Sequence, residues 1–236
     1  MVKFIISCEH GGNKIPQEYN PLFKNAEDVL ATHRGWDVGI LPVAQEIAEI
    51  LNLDITYSTT SRLLVELNRS IGKPDLFSSY THSLSLAEKE RILNEYYFPY
   101  RNKIEMEIRK SINSGSKVIH LSFHSFTPVL NGIERQADMG LLFDPEREME
   151  AKFCEQWKET LQVANRDYNV MFNYPYLGTD DGFTTYLRTQ FPKDMYGGIE
   201  LEVNQKFLTD QKKSTIMTQS IKKSLQMTIN QSGNLI

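Results

Sequence analysis

Only two cysteines, Cys8 and Cys154, occur in the 236 residues. That is too few for a disulfide framework and points to a reducing, cytoplasmic setting. The chain also lacks an apolar run long enough to cross a bilayer. Its opening, MVKFIISCEHGG, has neither the hydrophobic region nor the small-residue cleavage site of a secretion signal. Strong charge of either sign is missing too. A formal net charge of −4 gives no polyanion-binding footprint, so neither nucleic acid nor a membrane is the expected partner. There are no internal repeats, low-complexity tracts or clear linkers, which argues against arrays and against division into domains.

What is present suits one folded unit. With 40% hydrophobic and 24% charged residues, the composition supports a packed core rather than disorder. The length is ample for one α/β domain, 1–236, and marginal for two. Strands are expected near Lys3–Ser7, Asp54–Tyr57, Leu63–Leu67, Val118–Phe123, Met139–Phe143 and Gly198–Val203, with another near Val170. Helical patterns fall at Pro42–Leu51, Leu86–Ser114, Glu146–Asn165, Thr184–Phe191 and Asp210–Met227. The second of these starts at a serine cap and stops at Gly115, and Pro99 is expected to break or kink it. Alternating strands and helices predict a mixed, mostly parallel sheet with helices on both faces. NYPYLGTDDGF (Asn173–Phe183) is too polar and turn-rich for either regular structure. Composition alone favours a plain surface loop there over a substrate-covering one.

Of the five histidines, His82 in the polar SSYTHSLS reads as solvent-facing, and His33 in ATHRGWD fits a helix end, where the macrodipole favours it. His10 and His124 share a different context. His10 closes an apolar run ahead of Gly11–Gly12, and His124 closes VIHLSFH ahead of a Pro-containing turn. Period-two geometry puts His120, Ser122 and His124 on one side of their strand. Ligands of open α/β sheets gather beyond the carboxyl ends of the strands. One such histidine is usually structural; two in the same setting point to a shared site, and a metal is the leading candidate. Zinc asks for a third protein ligand and an open position. Asp37 in THRGWDVGILP is a candidate, with a helix N-cap as the competing reading. Pro42 weighs against the cap, because it would fall past the first turn of a helix starting at Asp37.

SRLLVELNRS carries Arg62, Glu66, Asn68 and Arg69. A buried strand ending in a solvated turn would explain it. So would a carboxylate-binding fork on Arg69 with Asn68 as a directional donor. Arg135, in GIERQADMGLLFDP, stands directly before another apolar strand. YGGIELEVNQ places Glu200 and Glu202 on one face of an otherwise apolar strand. Two carboxylates in a core are costly unless paired, hydrogen-bonded or metal-linked, and one of them suits a general base.

Taken in order, CEHGGNKIP, GWDVG, ELNRS, SFHSFTP, RQADMGLLFD, NYPYLG and IELEVNQ make the chain resemble the N-formylglutamate amidohydrolase family over nearly its whole length. Each segment alone is weak; the ordered set is specific. The resemblance implies a zinc carboxypeptidase/phosphorylase-like α/β fold and a mononuclear zinc amidohydrolase. It implies His10 and His124 as histidine ligands, Asp37 as the carboxylate ligand and Glu202 as the catalytic glutamate. Asn68 and Arg69 are similar to the Asn-Arg pair with which carboxypeptidase-like enzymes hold a substrate carboxylate. There is one departure. Where carboxypeptidases have His-x-x-Glu, HGGN puts Asn13 in the glutamate's place, which leaves Glu9 as the alternative to Asp37.

The expected reaction is hydrolysis of the N-acyl amide of an acidic amino acid, with N-formyl-L-glutamate as reference substrate and Zn2+ as cofactor. Glu202 takes a proton from the attacking water and returns it to the leaving amine. Arg135 or Arg69 stabilises the oxyanion or holds the substrate carboxylate, while Tyr176 and Gly178 of NYPYLG border the pocket. Three rival readings stand beside this one. One keeps the zinc amidase or peptidase chemistry but takes a peptide or a cell-wall fragment as substrate: HGGN and SFHS are also similar to segments of zinc muramoyl-alanine amidases, although the missing signal segment counts against that one. A metal- or ligand-binding module without turnover is another. The last is a Cys8 thiol nucleophile, which ranks below zinc because small buried thiols are common at strand ends.

Overall fold

The runs VKFIISC, KVIHLSFHSF and YGGIELEVN become β1 (Val2–Cys8), β3 (Lys117–Phe126) and β8 (Tyr196–Asn204), which pair side by side in a six-stranded sheet. The computed structural model describes residues 1–232 of the chain. Its remaining strands are β2 (Ile55–Tyr57), β4 (Val129–Leu130), β5 (Ile133–Glu134), β6 (Met139–Leu142) and β7 (Val170–Phe172). The helices are α1 (Glu27–Leu30), α2 (Ile40–Leu51), α3 (Leu86–Ile92), α4 (Phe98–Asn113), α5 (Glu148–Ala164), α6 (Phe183–Gln190) and α7 (Gln211–Ser232). Sheet order is β2-β1-β3-β8-β6-β7, with every neighbouring pair parallel except β6 and β8. Helices cover both faces, as the alternation of elements predicts. Among the described residues no helix is long and apolar enough to cross a membrane.

Register decides what each face carries. On β3 and β8, Ile119, Leu121, Phe123, Ile199, Leu201 and Val203 pack with residues of α2, α5 and α7 into one apolar core. The alternate residues pair Val118 with Tyr196, His120 with Gly198, Ser122 with Glu200 and His124 with Glu202. That second face therefore runs from apolar to ionisable toward the carboxyl ends of the strands. At its apolar end it joins a second core with residues of α4 and α6.

One expected strand is corrected. Leu63–Leu67 is not a strand but a series of turns, with Leu64 N–H bonded to Ser61 C=O and Glu66 N–H to Leu76 C=O. Its leucines and Val65 are nonetheless buried in the second core. An apolar run reports burial, and burial is not a strand when side chains and turns satisfy the backbone. Leu86–Ser114 is divided just ahead of Pro99, as expected. A π-helical turn at Leu93–Tyr97 joins α3 to α4, so Pro99 falls in the first turn of α4, where its missing N–H costs least. The ends behave as expected: Ser85 and Glu88 form a capping box, and Gly115 stops the helix at φ +84°.

Candidate metal centre and active site

At the carboxyl ends of β1 and β3, three segments converge, although β3 runs two residues past His124, its expected end. His10 stands two residues past the end of β1, in the turn that follows it, and its carbonyl accepts the Asp37 N–H at 2.9 Å. Gly11 and Gly12 are required by close approach: a Cβ would lie 2.9 Å from Ser58 O and 2.7 Å from Thr59 O respectively. Asp37 is not the cap of α2; Gly39 at φ +79° is, and Pro42 falls inside the first turn. The Asp37 side chain is thereby free to face the histidines. Its Oδ2 lies 3.4 Å from His10 Nδ1 and 2.9 Å from His124 Nδ1. The ligand atoms of His10, Asp37 and His124 all fall within 4.8 Å of one another, and the residues are 1%, 3% and 3% exposed.

The far nitrogens are backed by carboxylates. His10 Nε2 meets Glu66 Oε1. His124 Nε2 lies 2.8 Å from Ser122 Oγ and 3.2 Å from Glu9 Oε2. Ser122, Ser7 and Tyr100 each donate a hydroxyl hydrogen to Glu9, so Ser122 is left to accept from His124 Nε2–H, and Nδ1 is the nitrogen that faces Asp37. Glu9 thus sits behind His124, on the side away from Asp37, and does not enter the cluster as its alternative. Although burial pushes the Glu9 carboxyl upward, His124 holds it well below the usual range. Asp37 is likewise depressed against its burial, by His10, His124 and Arg62, while Asp37 and Glu9 hold the His124 imidazole well above its ordinary value.

This donor set fits a divalent cation. His10 Nδ1 is buried and has no hydrogen-bond partner, although Asp37 faces it. Glu9, Glu66 and Asp37 gather buried around two imidazoles, with Arg62 as the guanidinium partner of Glu66 and Asp37, so the cluster accommodates more positive charge.

Glu202 and Glu200 share a face of β8 and line one cavity of about 150 Å³, together with Asp37, His124, Arg62, Asn68, Arg69 and Tyr176. Glu202 Oε2 is buried without a partner, whereas Glu200 Oε1 accepts the Thr184 hydroxyl at 2.7 Å. Burial drives the Glu202 carboxyl well above the ordinary range, and the negative charges of Asp37 and Glu200 add to the rise. A roomier hollow of about 330 Å³, lined by Lys117, Glu146, Lys152 and Lys193, lies at the amino ends of β3 and β8 and gathers no buried donor cluster. Chemistry, not volume, marks the site.

Residues 2–209 match the N-formylglutamate amidohydrolase family. The chain belongs to that family. Membership makes it a hydrolase of amide bonds and agrees with the resemblance carried by the ordered motifs. The structure of gene product Atu2144 from Agrobacterium tumefaciens is similar with a TM-score of 0.82 at 24% identity, over 98% of this chain and 92% of that one. An N-formylglutamate amidohydrolase from Ralstonia eutropha JMP134 gives 0.70 at 16% identity, over 95% and 93%. At such identities the likeness is one of fold. No curated protein sequence matches.

The other expected residues of this N-formylglutamate amidohydrolase family member divide sharply. Arg69 is occupied: its Nε donates to Asp75 at 2.7 Å and its Nη1 to the Asn68 and Asp181 carbonyls at 3.0 Å. The Asn68 side-chain carbonyl accepts the Phe183 N–H at the start of α6. Arg135, by contrast, has no carboxylate partner among the described residues. It stacks on Phe126 and Tyr176, donates Nη2 to the Tyr176 hydroxyl at 3.0 Å and keeps Nη1 buried without a partner. Tyr176 is at the cavity wall, but Gly178 is buried behind it, where a Cβ would run into the Phe143 backbone. Its glycine is a packing requirement rather than a binding contact. The loop 173–183 is more than surface, since Asp181 accepts the Ser70 N–H and Tyr176, Leu177, Asp180 and Asp181 wall the cavity. His82 is exposed as expected, and His33 lies in the turns after α1. His120 is buried between Ser7 and Tyr196, and burial lowers it to about 4. Cys8 is fully buried and burial raises its thiol, which removes it as a nucleophile. Sequence reading noted Arg62 and Glu66 without giving either a role; their only signal was two opposite charges inside a buried apolar run.

Proposed function

We propose that the protein hydrolyses the amide of an N-acyl acidic amino acid, with N-formyl-L-glutamate as the reference substrate, using zinc held by His10, Asp37 and His124. The observation that carries this reading is the buried His-Asp-His trio beside a buried, unpartnered Glu202 oxygen. Zinc so held supplies Lewis acidity and makes water nucleophilic near neutral pH. Glu202 Oε2 takes the proton from the attacking water and delivers it to the leaving amine. Its raised proton affinity suits the second half of that cycle, and positive charge nearby favours the carboxylate needed for the first.

Arg135 holds the substrate carboxylate. It is supported over Arg69 by having no anionic partner among the described residues and by its stacking on Tyr176 at the cavity wall, although Arg69, not Arg135, lines the cavity itself; Tyr176 must yield its hydrogen bond when the substrate arrives. Asn68 and Arg69 then shape the wall through the 173–183 loop. A cavity of about 150 Å³ favours a small amino-acid derivative over a peptide or cell-wall strand. Two buried free thiols support a cytoplasmic setting.

The test is release of free amine from a panel of N-formyl, N-acetyl and peptidyl substrates by zinc-loaded protein, with N-formyl-L-glutamate expected first. Zinc-loaded, folded protein that releases amine from none of them would sink the reading and leave a binding module.

A further inference from the structure

We propose that Arg62 is a positioning residue that sets the geometry of the metal centre, by bridging two of the groups that aim its ligands. This inference rests on the metal reading above and names the device that builds the site.

Arg62 donates Nη1 to Asp37 Oδ1 at 3.0 Å and Nε to Glu66 Oε2 at 2.6 Å. Each carboxylate therefore spends one oxygen on the guanidinium and points the other at the trio. Asp37 Oδ2 faces both histidine Nδ1 atoms, and Glu66 Oε1 meets His10 Nε2. Held this way, Asp37 offers the cation a single oxygen. His10, in turn, keeps its proton on Nε2, against Glu66, and presents a bare Nδ1. One side chain thus orients two of the three ligands, one directly and one through Glu66. Planarity matters, because the two contacts leave Arg62 from different nitrogens of one rigid fork.

His124 is oriented differently. Its Nε2 rests on Ser122 and Glu9, and Asp37 is its link to Arg62. Arg62 also lines the cavity and its side chain is 25% exposed, so substrate contact is a competing role that activity alone would not separate. Metal binding without substrate does separate them.

The experiment measures zinc affinity of metal-stripped protein by competition with a chromophoric chelator, alongside the visible spectrum of the cobalt-loaded form and the melting temperature of the stripped form. The parent is compared with Arg62→Met, Arg62→Lys and Glu66→Gln. Both Arg62 variants are expected to lose about 10–100-fold in zinc affinity and to shift the cobalt spectrum. Lysine restores charge but not the fork, so Arg62→Lys should not rescue either readout. Glu66→Gln keeps an acceptor for His10 Nε2 and should lose less. Parent-like zinc affinity and cobalt spectrum in Arg62→Lys overturn the proposal, as does a lowered melting temperature with both readouts unchanged. If Arg62→Met fails to fold, Arg62→Lys decides. A parent that binds no zinc overturns the metal reading itself, a result distinct from equal binding by parent and variants.

Discussion

The two faces of β3 and β8 are made by alternate residues of the same strands, yet they solve opposite problems. One face presents Ile119, Leu121, Phe123, Ile199, Leu201 and Val203 to an apolar core, where stability comes from area removed from water and tight packing. The other presents His120, Ser122, His124, Glu200 and Glu202, where burial costs free energy unless every polar atom finds a partner. Most do find one: His120 between Ser7 and Tyr196, Ser122 between Glu9 and His124, Glu200 with Thr184. Two of the buried atoms without hydrogen-bond partners among the described residues, His10 Nδ1 and Glu202 Oε2, lie at the carboxyl end of that polar face. A satisfied polar network is structure; the unsatisfied atoms at its end lie where the proposed chemistry is placed.

The largest effects are expected where the polar face is opened. His124→Ala should abolish zinc retention and, with it, detectable amine release, because two protein donors are too few for a catalytic site. Metal analysis of the folded variant checks this, and His10→Ala should behave alike. Glu202→Gln should keep its zinc and its fold but lose roughly 10²–10⁴-fold in turnover, since glutamine copies the shape and cannot accept the proton. An active, zinc-loaded Glu202→Gln would remove the base from β8.

The apolar face predicts the reverse pattern. Phe123→Ala should destabilise the protein by about 3–5 kcal/mol in denaturant melts, yet leave zinc stoichiometry at one per folded chain. His120 comes next. It stays neutral in the fold down to about 4, whereas an exposed histidine in the unfolded chain protonates near 6.5. Between those values the unfolded state binds more protons, so stability rises with pH across the window and is lost as pH falls through it. The full loss from this group is roughly 3 kcal/mol. Metal-stripped parent and His120→Gln, melted in denaturant at pH 4.5 and 7, should differ in that slope. The smallest effect is expected at Glu200→Gln, whose amide still accepts the Thr184 hydroxyl: less than about tenfold in turnover, with unchanged metal.

Much of this was legible in the residues themselves. Period two along VIHLSFH and IELEVNQ put His124 and Glu202 on definable faces, and the structure pairs them directly. The run LLVEL, by contrast, signalled only that it is buried, and its turns depend on acceptors and donors from Ser61, Leu76 and Thr81 that no local pattern announces. Gly178 carried a motif but proved to serve packing against Phe143.

Sequence alone determined the alternation of most elements and the types of donor available, because side-chain period and local propensity act over a few residues. Which donors meet was decided by tertiary structure. Asp37 lies 27 residues from His10 in sequence order and 87 from His124, and it reaches both because the parallel pairing of β1 with β3 sets their carboxyl ends side by side. Arg69 and Arg135 are chemically alike; only folding gave one an Asp75 partner and left the other's guanidinium without a carboxylate. A charge is defined by its residue, but its availability is defined by what the fold packs against it.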